Sequence, residues 1–451
     1  MALAVNWARQ MCAVQFANGR TYYMLNIHRR AVATGALCCL ASLGGLMQQA
    51  QASGFQLREQ SAEGLGNAFA GSSAKAQDLS TIFYNPAGMA LLDGNGAQGE
   101  VAYIMPKATL SGTATRNAAV GGAKTGGSSG GDAGVDTALP SFYAMMSVNP
   151  DLKLGLAINT PFGLETNYDT DWVGRYQALR SKLMTMDITP SVAYRLNKQL
   201  SIGGGLNLQY ISATLTNAVD NRLAGSASDG TAKVKGDDWG AGVNLGVMYE
   251  FTPTSRIGLN YRSRVQHQLE GTVQYTNVVN AGALSRLLNS DATAKVTTPD
   301  IVSLGAYHEI SPQWAVMGEV QYTNWSLFDH LTVDATSGAD SYVNEDWKDT
   351  YFVSFGATYK PAERWKLQSD IGYDMSPVPE AHRTARIPDQ DRLWLSVGAG
   401  YQLTPNLALN GAYTHIFVKD AQINETTSFG TLTGSYSGAV EIISASLKAT
   451  F

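Results

Sequence analysis

Cysteine is nearly absent. The three in 451 residues, Cys12, Cys38 and Cys39, all fall in the first 39 positions, so the rest of the chain has no disulfide framework and no thiolate nucleophile. Charge is scarce as well: 15% of residues are charged, where a soluble domain carries about a quarter. Basic residues number 32 against 37 acidic, which leaves no cationic excess for a nucleic-acid partner. Beyond residue 52 no apolar run is long enough for a membrane-crossing helix. The histidines there, His267, His308, His330, His382 and His415, stand singly, without HExxH or any paired metal-ligand spacing. No metal, cofactor or enzymatic activity is expected, and a membrane-embedded Ser/His hydrolase would have to assemble its triad in space. Disorder is excluded because 44% of the residues are hydrophobic.

What is present begins with an export signal. Arg29 and Arg30 precede the apolar run from Ala31 to Met47, and Ala50-Gln51-Ala52 supplies a small-residue cleavage site, so residues 1–52 read as a signal peptide cut before Ser53. Residues 1–23 read as an over-extended start, with Met24 the expected initiator. The signal holds four arginines and no acid, which leaves 28 basic and 37 acidic residues, or −9, in a thiol-free exported chain.

The exported part alternates. Trp239, Ala241, Val243, Leu245, Val247, Tyr249 and Phe251 share one face of a strand; Trp365, Leu367, Ile371 and Tyr373 share another; Leu393, Leu395, Val397, Ala399, Tyr401 and Leu403 make a third. A period of two with one oily face marks strands against lipid. About fourteen such segments follow one another, joined by six tight turns near 149–151, 197–199, 252–254, 311–313, 361–363 and 404–406. Seven longer links are expected near 113–137, 164–181, 216–237, 274–298, 326–349, 375–390 and 420–437. This is the pattern of an all-β, fourteen-stranded antiparallel transmembrane β-barrel, with short turns in the periplasm and long loops outside. Tyr194, Tyr249, Phe251, Trp314, Tyr359, Trp365 and Tyr401 collect at the short-turn ends as an interfacial girdle. The chain finishes on an alternating strand ending in Phe451, which lets the sheet close without an edge. The domains are therefore a signal peptide (1–52), an N-terminal plug inside the lumen (53–94) and the barrel (95–451).

The plug carries a resemblance. Ser53-Gly54-Phe55-Gln56-Leu57, Gly64-Leu65-Gly66-Asn67-Ala68-Phe69-Ala70-Gly71 and Tyr84-Asn85-Pro86-Ala87-Gly88 resemble the hatch of the outer-membrane long-chain fatty-acid transporters, the FadL family. Trp172-Val173-Gly174-Arg175-Tyr176, Ser376-Pro377-Val378-Pro379 and Ile387-Pro388-Asp389-Gln390-Asp391-Arg392 extend it over the exported chain. The resemblance implies passive uptake of a hydrophobic molecule into a pocket inside the barrel, movement of the hatch, and sideways exit through a kink in the third strand. Phe55 would be the hatch tip touching ligand, and Asn85, Pro86 and Ala87 the hatch turn.

The residues support several of these steps. At Asn159-Thr160-Pro161-Phe162-Gly163, Pro161 has no N–H for the ladder and Gly163 no side chain to pack, so a gap in the wall is expected there. Phe352, Trp394, Ile416, Val418, Val440 and Ile442 fall on inward positions at one membrane level, an apolar lining suited to an oily ligand. A water-filled porin, the competing class, would be polar at that level. Arg262 and Arg264, read on one inward face with Asn260 and Gln266, and Arg392 are candidates for binding a carboxylate. Thr332 and Asp334 stand where the resemblance leads one to expect a lysine, which keeps aromatic hydrocarbons open as the alternative substrate. Expected partners are a long-chain fatty acid or other hydrophobic small molecule, outer-membrane lipid and lipopolysaccharide, and the barrel-assembly machinery through the C-terminal Phe451. No nucleic acid is expected, a monomer is, and the location is the outer membrane of a Gram-negative bacterium.

Overall fold

The computed structural model describes residues 54–451. The expected signal peptide, its cleavage site, Met24 and the three cysteines lie outside the described residues. Fourteen antiparallel staves form the wall. Staves 1 to 6 are Gly96–Arg116, Thr137–Ser147, Leu152–Asn159 resumed at Gly163–Asn167, Arg180–Arg195, Leu200–Asp220 and Asp229–Thr252. Stave 7 is Ser255–Arg262 with Val265–Thr276, and stave 8 is Ser290–Thr298 with Ile301–Glu309. Stave 9 is Trp314–Thr323 with His330–Ala335, and stave 10 is Ser341–Asn344 with Thr350–Ala362. Trp365–Asp374, Arg392–Thr404, Leu407–Thr427 and Gly430–Thr450 complete the set. Stave 14 pairs with stave 1 from Gly96↔Thr450 to Arg116↔Gly430. That ladder closes the sheet, so the staves find their backbone partners within the wall, as a lipid-bound sheet requires, except at an interruption in stave 3.

Alternation sets the two faces. Leu245, Leu367, Val397 and Leu409 stand outward and exposed, while Asn244, Gln368, Ser396 and Asn410 on the neighbouring positions are buried inside. Trp314 stacks on Tyr359 at 4.6 Å and Trp365 lies 4.7 Å from Tyr401, both pairs on the outer surface beside short turns. The six short turns fall where turn chemistry places them. Four of the long links do not: staves 5 and 6 stay paired out to Asp220↔Asp229, staves 13 and 14 close at Thr427↔Gly430, and the links expected near 274–298 and 326–349 carry the paired strands Ser290–Thr298, His330–Ala335 and Ser341–Asn344. Hydrophobic alternation fades where a strand leaves the lipid, but the ladder continues in polar residues such as Thr426 and Thr431, whose hydroxyls bond at 2.9 Å.

Residues 54–95 fill the lumen with short helical turns, Ala62–Leu65, Ser72–Lys75, Thr81–Tyr84 and Pro86–Leu91. Their small residues allow the backbone to lie against the wall, and their few large ones are anchors: Leu65, Phe69, Leu79 and Ile82 are all buried among wall side chains. Charge pairs fix the orientation. Glu63 meets Lys366 of stave 11 at 2.5 Å and Lys75 at 3.8 Å, and Arg58 meets Asp374 at 3.2 Å. Burial opposes the charge on Glu63, but the two lysines outweigh it and hold the carboxyl down to about 2. Its contribution is complete above the ordinary carboxyl range and is lost only as the pH falls toward 2. Removing this acid takes the counter-ion from the buried Lys75 and the partly buried Lys366. Glu63→Gln is therefore expected to raise the rate of tryptic cleavage after Lys75 in the detergent-purified protein about 100-fold, for a loss of about 3 kcal/mol; an unchanged rate would show that the pair does not hold the hatch.

Candidate functional site

The third stave breaks between Asn159 and Gly163. Across the break, Asn159 pairs with Asp187 and Gly163 with Met184, so four steps on one side face three on the other. Thr185 fills the mismatch: its hydroxyl bonds the Phe162 N–H at 3.0 Å. On the opposite edge, staves 2 and 3 pair only from Phe142↔Ile158 to Ser147↔Lys153, so Thr137–Ser141 have no ladder partner on stave 3. Pro161 explains the break locally, because it has no N–H and restricts the residue before it.

The hatch makes good what the wall lacks. Leu57 N–H donates to Pro161 O at 2.8 Å, Gly163 N–H donates to Phe55 O at 2.9 Å, and Gln56 bridges to Phe162 between them. Gln60, wholly buried, spans the separated staves. Its Oε1 accepts from Ser141 Oγ (3.0 Å) on stave 2 and from Asn159 Nδ2 (3.3 Å) and Thr160 N (3.2 Å) on stave 3. Its Nε2 donates to Thr160 O at 2.7 Å, and Tyr143 Oη donates to its carbonyl at 2.5 Å. A glutamine in a plug segment offers no pattern that sequence reading can single out, and Gln60 was missed for that reason.

Phe55 sits at the tip, 2% exposed, inside a box of aromatic rings. Its centroid lies 4.7 Å from Trp325, 5.5 Å from Trp347, 5.8 Å from Phe328 and 6.0 Å from Phe162. The neighbouring Gly54 adopts φ +61, and a side chain there would run into Trp347. Gly54 N–H donates to Asp389 Oδ2 at 2.9 Å, and Ser376 Oγ donates to the same oxygen at 2.7 Å. Those two contacts explain why Ser376 and Asp389 stand in their motifs. Beside Phe55 opens an apolar cavity of about 90 Å³ bordered by Leu183, Ala213, Leu269, Val296 and Phe328. It meets a wider, more polar opening of about 720 Å³ among the outer loops.

The expected turn is built from its own residues. Asn85 Oδ1 accepts from Ala87 N at 3.1 Å, Pro86 takes the first helical position, and Asn85 Nδ2 donates to Ser73 O (2.6 Å) and Val247 O (3.1 Å). Gly246 of stave 6 lies so close that a Cβ would collide with Asn85.

The predicted lining residues converge on one place. Phe352, Trp394, Ile416 and Ile442 are buried in one cluster, with Val418 and Val440 packed against it, but the cluster is filled by Leu65, Ala68 and Phe69 of the hatch. Phe352 also borders a small cavity of mixed lining shared with Arg58, Arg262 and Glu319.

The arginines need a correction. The ladder of stave 7 is interrupted at Ser263 and Arg264, which shifts the parity, so Arg264 and Gln266 are exposed and not on the inward face of Asn260 and Arg262. Arg264 pairs with Asp300 at 2.6 Å. Arg262 is buried but occupied: it meets Asp187 at 3.0 Å, donates to Phe83 O at 3.2 Å and lies over the Phe83 ring at 4.2 Å. Arg392 meets Asp389 at 2.6 Å. Each expected carboxylate reader already has a carboxylate.

Residues 45–451 match the model of the family described as outer membrane protein transport protein (OMPP1/FadL/TodX). The chain belongs to this family. It is 30% identical over 413 residues to the long-chain fatty acid transport protein of Escherichia coli (strain K12), covering 84% of this chain and 90% of the relative. With outer membrane protein P1 of Haemophilus influenzae, the identity is 30% over 433 residues, 88% of this chain and 92% of the relative. A crystal structure of a Pseudomonas aeruginosa FadL homologue superposes with TM-score 0.83 at 25% identity, covering 88% of this chain and all of the other. The P. putida toluene transporter TodX shares the fold, with TM-score 0.64 at 15% identity, covering 89% and 99%. The protein is thus an outer-membrane barrel of a family of transport proteins.

Within this family frame, Gln60 has a measurable weight. Gln60→Ala removes a buried latch and strands the Ser141 hydroxyl and the Thr160 N–H, a cost of about 2–4 kcal/mol locally. The near-ultraviolet circular dichroism of the aromatic box is expected to melt at lower temperature than the far-ultraviolet signal of the wall, whereas coincident melting of both in the variant would remove the latch role.

Proposed function

We propose that the protein carries long-chain fatty acids, or hydrophobic molecules like them, across the outer membrane by diffusion through the cavity beside Phe55 and sideways through the break in the third stave. The observation that carries this reading is that one hatch segment serves both places: Phe55 borders the apolar cavity, and residues 56–60 occupy the break. A ligand that displaces Phe55 necessarily pulls on Leu57 and Gln60, whose bonds close the gap between staves 2 and 3. Each of those bonds is neutral and contributes about 1 kcal/mol net, so apolar burial of an alkyl chain at about 0.8 kcal/mol per CH₂ is sufficient to offset their loss. The curated relatives named for long-chain fatty acid transport support the substrate class. The buried lumen supports a transporter over a water-filled porin, because Leu65, Phe69, Leu79 and Ile82 fill the cross-section that an aqueous channel needs. Pairing over all fourteen staves leaves no edge for a partner copy, which favours the monomer.

Gln56 and Phe162 test the exit. They face each other as a non-hydrogen-bonded antiparallel pair, with Cα atoms expected about 4.5 Å apart, within reach of a disulfide. After residue 52 the chain has no cysteine to interfere. The Gln56→Cys/Phe162→Cys double variant, oxidised in cells, is expected to take up labelled oleate at least 10-fold more slowly than the same variant reduced, with the Phe162→Cys single variant showing no such dependence on reduction. Full uptake by the cross-linked protein would place the exit elsewhere.

A further inference from the structure

Arg386 stands where the outer opening meets the apolar cavity, and it borders both, together with Glu345, Leu331 and Val333. Its surroundings differ from those of the other arginines near the site. Nη1 donates to Ser181 Oγ (3.2 Å) and Thr216 O (3.3 Å), and Nη2 donates to Asn217 Oδ1 (3.3 Å). All three acceptors are neutral, and no carboxylate comes within the 4.0 Å of an ion pair among the described residues. Of the five N–H donors of a guanidinium, the Nε hydrogen and one on Nη2 remain, and Nε and Nη2 form the edge of the group that can grip a carboxylate with two bonds.

The other charged groups nearby do not supply that partner. Lys182 is engaged by Glu165 at 2.8 Å, and Lys235 is exposed. Glu345 and Glu425 face Arg386 from beyond ion-pair distance, each already engaged: Glu345 accepts from Trp347 Nε1 at 3.0 Å and Glu425 from Ala385 N at 2.8 Å. Tyr168, also near, donates to Ala385 O at 2.6 Å. Burial pushes the Glu345 carboxyl up to about 8, which makes it a weak counter-ion at neutral pH and leaves Glu425, beyond ion-pair distance, as the acid the guanidinium chiefly feels. Trp347 in turn packs on Phe55 at 5.5 Å, so the place for a head group and the hatch tip share a side chain.

We propose that Arg386 binds the carboxylate of an anionic amphiphile whose alkyl chain lies in the cavity toward Phe55, and thereby selects fatty acids over neutral aromatic hydrocarbons. This rests on the cavity being the ligand site. Direct binding of radiolabelled oleate, oleyl alcohol and toluene to the detergent-purified protein tests it with two variants. Arg386→Gln is expected to weaken oleate about 10- to 100-fold while oleyl alcohol stays within about twofold, and Arg386→Lys to recover part of the loss. Val296→Trp, which fills the cavity, is expected to weaken oleate and oleyl alcohol together. Unchanged oleate binding in Arg386→Gln, or equal loss of oleate and alcohol, overturns the head-group assignment while Val296→Trp still reports on the cavity. Oleate binding that survives Val296→Trp but not Arg386→Gln overturns the cavity reading and leaves the arginine standing.

Discussion

Six hatch residues complete a wall that its own sequence leaves open. Pro161 removes a donor from the third stave and throws its register out by one residue, and staves 2 and 3 part company beyond Phe142. In a membrane such a break is costly, because no water is at hand to satisfy the freed backbone groups. Residues 55–60 answer with backbone bonds at Pro161 and Gly163 and with Gln60 across the gap. The hatch has to sit where it does because the wall is incomplete without it.

The rest of the lumen serves that placement. Ion pairs at Glu63 and Arg58, the Arg262 bond to Phe83 O and the close fit of Asn85 under Gly246 hold the body of the hatch, and Asp389 holds its first described residue through the Gly54 N–H. Phe55 is thereby kept in the aromatic box, at the inner end of an apolar cavity whose outer end is marked by Arg386. Oily burial at one end and the Arg386 guanidinium at the other form the binding geometry of an amphiphile.

The wall was legible because its signal is repeated. Period-two alternation in fourteen segments and six turn clusters specify an up-and-down barrel, and Pro161 in an otherwise regular strand marks the break. Phe55 and the Asn85-Pro86-Ala87 turn came from resemblance, and their packing shows the chemistry behind it. The arginines were not legible. A single slip at Ser263 and Arg264 turns the inward face outward, and no sequence pattern tells that Asp187, Asp300 and Asp389 claim Arg262, Arg264 and Arg392. Arg386 lies in a loop without periodicity, so its position at the cavity mouth emerges only in three dimensions. The outer ends of staves 5, 6, 8, 9, 10, 13 and 14 read as loops in the sequence because hydrophobicity stops at the lipid boundary while hydrogen bonding does not.

The most direct measurement is amide hydrogen exchange at Leu57 and Gly163, the two donors shared between hatch and stave 3, in protein embedded in outer-membrane lipid with and without saturating oleate. If ligand entry releases the hatch segment from the break, both amides exchange faster with oleate while the stave 1–stave 14 ladder stays protected. Protection of Leu57 and Gly163 that is unchanged or increased while oleate is being transported would contradict the account.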